Sequence, residues 1–331
     1  MKKTLLSLLA MVPLAASATE YWVPGVTLEN HAWKDVDKEM TEDDWDQEIF
    51  TGDSVLCWAA AASNVVAWWQ DYNADHLVNH KEGIPQGEQA LFNAINDAFI
   101  NTGADGYLGL SWFMDGATDM LNEPWYVDEE SGAVTTLGDI ILAPGRTEEG
   151  GYYNGIVQDI TSTMSYESQL IRDEETGMKI EGVLTLTEFT QKIVDAVSTG
   201  GVVLGLSADY GDHAITLWGV DVDDDTHQIT RMWVTDSDDK NSAVFKTDLD
   251  LIELICTPTS KHRDLGYGQF LDYDAYSIVA KDGLWYTGDQ NEYIDSFSWL
   301  SATVQWTVPE PATGTLGLVA LAALAARRRR K

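Results

Sequence analysis

Residues 54–69, SVLCWAAAASNVVAWW, predict one helix that runs through the core of the fold. Ser54 can serve as its N-cap, and four consecutive alanines, the best helix formers, follow the first tryptophan. Between the tryptophans only Ser63 and Asn64 are polar, and a helix that is apolar on all sides is a buried helix. We therefore expect a central, buried helix over residues 54–71.

Cys57 falls in the first turn of this helix. Backbone N–H groups and the positive end of the helix dipole favour a thiolate over a thiol there, so Cys57 is a candidate nucleophile. The alternative is a small residue packed in the core, where free cysteines are often found. Cys256, the other cysteine of the chain, lies in an apolar run typical of a strand or core position. We therefore expect no disulfide between the two.

Both ends of the chain predict export. Residues 1–18 have a positive start, an apolar run and a small-residue cleavage site, the features of a signal peptide. Residues 309–331 begin with Pro-Glu-Pro, continue with a short apolar run and end in five basic residues. This tail resembles the PEP-CTERM sorting tag of Gram-negative bacteria. The resemblance implies removal by an exosortase, delivery to the cell surface, and membrane contact only through the tail before processing. A plain tail anchor is the alternative, although a membrane-spanning helix needs about 20 apolar residues.

Residues 19–308 are long enough to form one large domain or two lobes around a cleft. The chain has 54 acidic and 20 basic side chains, and its formal net charge is −34. Such a surface repels phosphate backbones, which argues against nucleic acid as a partner, and it suits solubility outside the cell. Thirteen tryptophans argue against disorder despite this charge.

Helices are predicted mainly early in the chain and strands mainly late, which predicts an α+β fold with a helical lobe facing a sheet lobe. Thr185 or Thr187 can cap the last helix, and residues 123–183 are assigned to loops, short strands and one insertion. No internal repeat is visible. The predicted helices cover 54–71, 88–101, 187–198 and a segment that begins near Leu110 within 108–120. The predicted strands cover 202–207, the hairpin 213–221 and 229–235, 251–256, the hairpin 274–280 and 284–287, and 297–308.

His213 is the one histidine of six that opens an apolar, strand-like run. Asp236 lies just past the return strand of the same hairpin, so strand pairing can bring its carboxylate beside the His213 ring. A carboxylate in that position would fix the tautomer of the ring and stabilise the imidazolium. Asp238, one pleat further, faces the same way and could reinforce it. Taken alone, a histidine at a strand edge is more often structural than catalytic.

A cysteine followed by a histidine and then an aspartate, with an aromatic residue directly after the cysteine, is the order found in papain-like enzymes. The chain more closely resembles the IdeS/Mac family of immunoglobulin-degrading, papain-fold cysteine endopeptidases. Three blocks carry the resemblance: DSVLCWAAAASNVVAWW (53–69), DHAITLWGVDVD (212–223) and MWVTDSDD (232–239). The resemblance implies a papain-like, two-lobed fold, in which the central helix bears the nucleophile and faces an antiparallel sheet lobe.

The resemblance also implies the roles of four residues in peptide-bond hydrolysis without a cofactor or metal. Cys57 would be the nucleophile, His213 the general base and acid, Asp236 the group that orients His213, and Asp238 its support. The implied substrate is an extracellular protein, with immunoglobulin as one candidate.

One position departs from the family. The family has a lysine near the oxyanion, ten residues before the nucleophile, and this chain has Gln47 there; a one-residue gap would place Glu48 there instead. A glutamate would repel an oxyanion, whereas glutamine is the donor that most papain-like enzymes use. We therefore favour Gln47, with the Cys57 backbone N–H as the second donor.

Three other functions compete with a peptidase. A calcium-dependent surface binding protein is suggested by the oxygen-rich segments 221–228 and 236–241, but the first has Thr226 where an EF-hand loop needs glycine and Met232 where it needs glutamate. A catalytically inactive binding protein of the same fold is the second alternative, and the presence of all four expected catalytic residues argues against it. A zinc hydrolase has little support, because the chain has no HExxH motif.

Overall fold

The computed structural model describes residues 17–36, 38, 55–127, 132–146, 149–172, 180–208, 211–237, 251–266, 269–281 and 293–307. The helices of these residues are α1 (Cys57–Tyr72), α2 (Ala74–Leu77), α3 (Glu88–Ala98), α4 (Gly106–Asp115), α5 (Thr118–Leu121), α6 (Leu137–Ile141) and α7 (Leu186–Thr199). The strands are β1 (Ala18–Trp22), β2 (Pro124–Val127), β3 (Val134–Thr136), β4 (Val157–Gln158), β5 (Met164–Ser168), β6 (Leu170–Arg172), β7 (Ile180–Val183), β8 (Gly200–Ala208), β9 (Gly211–Asp223), β10 (Ile229–Thr235), β11 (Ile252–Gly266), β12 (Gln269–Ala280), β13 (Tyr293–Ser301) and β14 (Gln305–Trp306).

The central helix α1 is buried as predicted, without interruption from Trp58 to Gln70. It begins at Cys57 rather than directly after Ser54, with Leu56 in the N-cap position. The backbone N–H of Val55 donates to the Asn101 side chain at 2.8 Å, so a tertiary hydrogen bond holds the chain where it enters the helix. Ser54 lies outside the described residues. The start of α1 therefore depends on a contact with a distant segment, which the local sequence does not encode.

Six of the described strands close into a ring. Strand β9 pairs with β10, β10 with β11, β11 with β12, β12 with β13, β13 with β8, and β8 again with β9, and every pair is antiparallel. Strand β1 adds to β9 and β5 adds to β13. The predicted hairpin of β9 and β10 is confirmed, with Thr216 opposite Thr235. The ring places β13 beside β8, although about 90 residues of sequence separate the two strands.

Helix α1 lies between the ring and the other early helices. On one side it contacts β8 and β9, and a Cβ on Gly201 of β8 would come within 2.7 Å of Val65. On the other side it contacts α3 and α4, where a Cβ on Gly109 would come within 2.6 Å of Ala62. The mixed helix and strand content predicted from the sequence is confirmed. Glycine at both positions lets the neighbouring elements approach α1 closely.

Four element boundaries differ from the prediction or refine it. Helix α4 starts at Gly106 because the Asp105 side chain accepts the Leu108 N–H at 2.8 Å. Helix α7 is capped by Thr185 rather than Thr187, in a reciprocal capping box with Glu188.

The predicted strand 251–256 continues to residue 266 as β11, which pairs with β12. The single predicted strand 297–308 is wrong: β13 ends at Ser301, and the separate β14 pairs with β4, so the chain leaves the ring between them. The predicted strand 284–287 lies outside the described residues.

Candidate active site

Cys57 is the first residue of α1 and is partly exposed. The first helical hydrogen bond is donated by the Ala60 N–H to the Leu56 carbonyl at 3.0 Å, which places Cys57 at the positive end of the helix. Neither Cys57 nor Cys256 takes part in a disulfide, as expected. Burial raises the pKa of the Cys256 thiol, so that sulfur is held as an unreactive thiol in the sheet.

His213 and Asp236 meet at the end of the β9–β10 hairpin, as the sequence predicts. The two carboxylate oxygens of Asp236 lie 3.1 and 3.0 Å from His213 Nε2. The Asp236 side chain is fully buried, whereas the His213 side chain is 15% exposed. A carboxylate in this geometry accepts a hydrogen bond from the Nε2–H group, so the other ring nitrogen, Nδ1, is left to exchange a proton with a reacting group.

The His213 ring is also hydrogen-bonded to Cys57. Burial by itself would lower the pKa of His213, but the charges of Asp236 and Cys57 and the hydrogen bonds to both outweigh burial. The net effect raises the pKa of His213 well above its ordinary value. The arrangement therefore favours an imidazolium paired with a thiolate, which is the reactive form of a cysteine nucleophile.

A cleft of about 460 Å³ lies beside Cys57 and His213, and both residues form part of its wall. The wall also carries charged and hydroxyl side chains that the sequence analysis did not single out, among them Asp105, Tyr166 and Asp295. Burial raises the pKa of Asp295, although the hydroxyls of Ser296 and Ser207 donate to its carboxylate at 2.9 and 3.0 Å.

The cleft residues that were not predicted differ in whether the local sequence contains a signal for them. Asp105 carried a local signal, since it precedes α4 as its N-cap. Tyr166 and Asp295 carried none, because they meet through the pairing of β5 with β13 across more than 100 residues of sequence.

Three residues proposed for the site lie outside the described residues. They are Gln47 and its alternative Glu48, which belong to residues 39–50, and Asp238, which follows the last described residue after β10. Their roles stay predictions.

The described residues contain no group of three or more histidine, cysteine, aspartate or glutamate side chains that could hold a metal ion. In the acidic turn after β9, Asp223 Oδ1 accepts the Thr226 N–H at 2.7 Å and the Thr226 hydroxyl at 2.9 Å. These bonds lower the pKa of Asp223. The turn is thus closed by its own donors, as expected for an aspartate that stabilises a hairpin turn.

Two comparisons with known proteins bear on this site and on the tail. Residues 307–331 match the family model of the PEP-CTERM protein-sorting motif. The match confirms the tail predicted from the sequence, and it indicates export, recognition by exosortase machinery and sorting to the cell surface in a Gram-negative bacterium. Among the described residues, no helix has the length and apolar character needed to cross a membrane.

The chain is also similar to an IgM protease of Streptococcus suis, with 26% identity over 213 residues. The matched stretch is 57% of this chain and 16% of the streptococcal protein, so this chain corresponds to a minor part of that relative.

Proposed function

We propose that this protein is a surface-sorted cysteine endopeptidase with a papain-like, two-lobed fold of the IdeS/Mac type. The observation that carries the proposal is the connected series Cys57, His213 and Asp236 at the wall of an open cleft. The similarity to a protease from another bacterium supports the same reaction class.

In the proposed reaction, the Cys57 thiolate attacks a peptide carbonyl carbon, and a sulfur–carbon bond forms. The His213 imidazolium gives its proton to the leaving amine as the carbon–nitrogen bond breaks. Water then attacks the thioester and gives a proton to His213, and the sulfur–carbon bond breaks to release the acid. Because Nε2 of His213 is hydrogen-bonded to Asp236, Nδ1 is the nitrogen that gives up and takes back the transferred proton in the two steps.

We further assign the negative oxygen of the intermediate to the Cys57 backbone N–H and to Gln47, with Asp238 supporting Asp236. The substrate is an extracellular protein, and the relative named for IgM makes immunoglobulin the first candidate. No metal or cofactor takes part in the proposed steps.

The test is cleavage of a panel of extracellular proteins, including the immunoglobulin classes, by the purified protein and two variants. Cys57→Ala should abolish cleavage and leave the melting temperature nearly unchanged. Cys256→Ala is the matched control, because this thiol lies in β11, and it should retain cleavage. Cleavage that survives in Cys57→Ala would contradict the proposal.

A further inference from the structure

Asn64 is a buried polar residue on the same helix as Cys57 that the catalytic steps do not use. It follows Cys57 by seven residues, so two turns of α1 bring both side chains to the same face. Its side chain is 1% exposed. A buried amide is costly unless its hydrogen-bonding groups are satisfied, so the partners of Asn64 show what the residue contributes.

The Asn64 side chain joins α1 to two other parts of the chain. Its Oδ1 accepts the Val36 N–H at 2.9 Å, and its Nδ2 donates to the Thr216 hydroxyl at 3.2 Å. Thr216 lies in β9, three residues after His213, and its hydroxyl donates in turn to the Ala61 carbonyl of α1 at 3.4 Å. Two hydrogen bonds therefore join the helix that carries Cys57 to the strand that carries His213: Thr216 accepts one from Asn64 and donates the other to Ala61.

The same network continues to the strand that leads to Asp236. Thr216 is opposite Thr235, whose buried hydroxyl donates to the Lys34 carbonyl at 2.8 Å and accepts the Trp218 indole N–H at 2.9 Å. The Lys38 N–H donates to the Ser237 carbonyl at 3.1 Å. Lys34 and Lys38 are thus bonded to the residues on both sides of Asp236, while Asn64 binds Val36, which lies between them in the chain.

We propose that Asn64 is a positioning residue, which keeps Cys57, His213 and Asp236 aligned by tying α1 to β9 and to residues 34–36. This inference rests on the proposed peptidase function and extends it. Asn64 does not touch the reacting groups. It acts because replacing its amide leaves the Val36 N–H and the Thr216 hydroxyl with poorer partners, so the three elements can shift relative to one another.

The test measures the alignment directly, through the rate at which iodoacetamide alkylates Cys57 as a function of pH. All proteins carry Cys256→Ala, so that one thiol reacts. In the parent, the pair with His213 should keep Cys57 reactive at pH values where an ordinary thiol is protonated. In Asn64→Leu we expect this low-pH reactivity, and kcat for cleavage, to fall about 10- to 100-fold, with a smaller change in KM.

Asn73→Leu is the matched control. Asn73 is also a buried asparagine with two side-chain hydrogen bonds, to the Trp69 and Ala302 carbonyls at 3.1 and 3.2 Å, but it follows the other end of α1. It should lower the melting temperature and leave the pH profile of alkylation unchanged. Thr216→Val is a second variant of nearly the same shape, which removes the hydroxyl bonded to Asn64 and should shift the profile in the same direction as Asn64→Leu.

Three outcomes are distinguishable. A shifted profile in Asn64→Leu or Thr216→Val, but not in Asn73→Leu, supports the positioning role. If Thr216→Val and every folded Asn64 variant keep the pH profile of the parent, the positioning role is overturned and Asn64 is a structural residue only. A parent with the alkylation profile of an ordinary thiol and no cleavage contradicts the proposed function itself, and the positioning role with it.

Discussion

His213 shows how single residues set the electrostatics of this site. Burial and the neighbouring negative groups act on its pKa in opposite directions, and the negative groups prevail. Because the folded-state pKa is raised, the charged ring stabilises the fold fully below its unfolded pKa of about 6.5. That stabilisation is lost as the pH rises through the folded-state pKa. The proposed imidazolium is lost over the same range, so activity and stability should share an alkaline limit.

Asp236→Asn tests this dependence. Asp236 is the largest of the influences that raise the pKa of His213, so without its charge this pKa should fall and the alkaline limb of kcat/KM should move to lower pH. We expect kcat/KM at its optimum to drop by about 10²- to 10⁴-fold, the range typical of general acid–base groups. The measurement is a pH–rate profile, paired with urea unfolding at pH 6 and pH 9.

Asp272→Asn is the matched control for that variant. Asp272 lies 2.7 Å from His262 Nδ1 in a second histidine–aspartate pair, which is exposed. Breaking this pair should leave both the rate profile and the unfolding free energy unchanged, because solvent screens an exposed ion pair. An alkaline limb that does not move in Asp236→Asn would contradict the assignment of that limb to His213.

At the scale of the secondary-structure elements, helix ends were set in two different ways. Helix α7 begins after Thr185, one of the two caps that the sequence allowed, because Thr185 and Glu188 satisfy each other's backbone N–H groups. Helix α1 has no side-chain hydrogen bond at its N-cap among the described residues, and Val55 is held by Asn101 instead. The helix that carries the candidate nucleophile is thus positioned by tertiary contacts rather than by its own cap.

Thr185→Ala should destabilise the protein by about 1 kcal/mol, the usual cost of removing an N-cap side chain. Thr187→Ala is the matched control, since Thr187 is exposed within the first turn of α7 and was the alternative cap. Urea unfolding of both variants gives the comparison. Equal losses of unfolding free energy would show that the capping box contributes nothing specific.

At the scale of the whole molecule, the acidic surface and the closed ring of strands have opposite effects on the stability of the fold. A formal net charge of −34 makes the folded chain repel itself, whereas the ring holds β8 between β9 and β13 through hydrogen bonds on both sides. The distance over which charges interact falls from about 30 Å at 0.01 M salt to about 10 Å at 0.1 M. Salt should therefore relieve the repulsion.

We expect the melting temperature to rise between 10 mM and 200 mM NaCl by several degrees, on the order of 1 kcal/mol of stability. CaCl₂ and MgCl₂, each added at the same ionic strength, should have equal effects, because Asp223 already uses its carboxylate within its own turn. A stabilisation specific to calcium would instead support the calcium-dependent binding protein as the function. A melting temperature that does not respond to NaCl would contradict the account of charge repulsion.

The local pattern of the sequence was enough to predict the buried helix with Cys57 at its start and the hairpin that joins His213 to Asp236. Apolar periodicity and a short turn are local properties, and both features depend on them. The last strand was predicted wrongly, because the break after Ser301 follows from the pairing of β14 with β4.

The tertiary structure alone decided the ring of strands, the cleft walls and the contacts of Asn64. Tyr166 and Asp295 face the same cleft although they lie on strands far apart in the chain, and Asn64 meets Thr216 across 152 positions. Such contacts depend on how elements pack once each has formed, and many packings are compatible with one local pattern. The sequence by itself thus determined which residues are chemically suited to the site, and packing decided which of them meet.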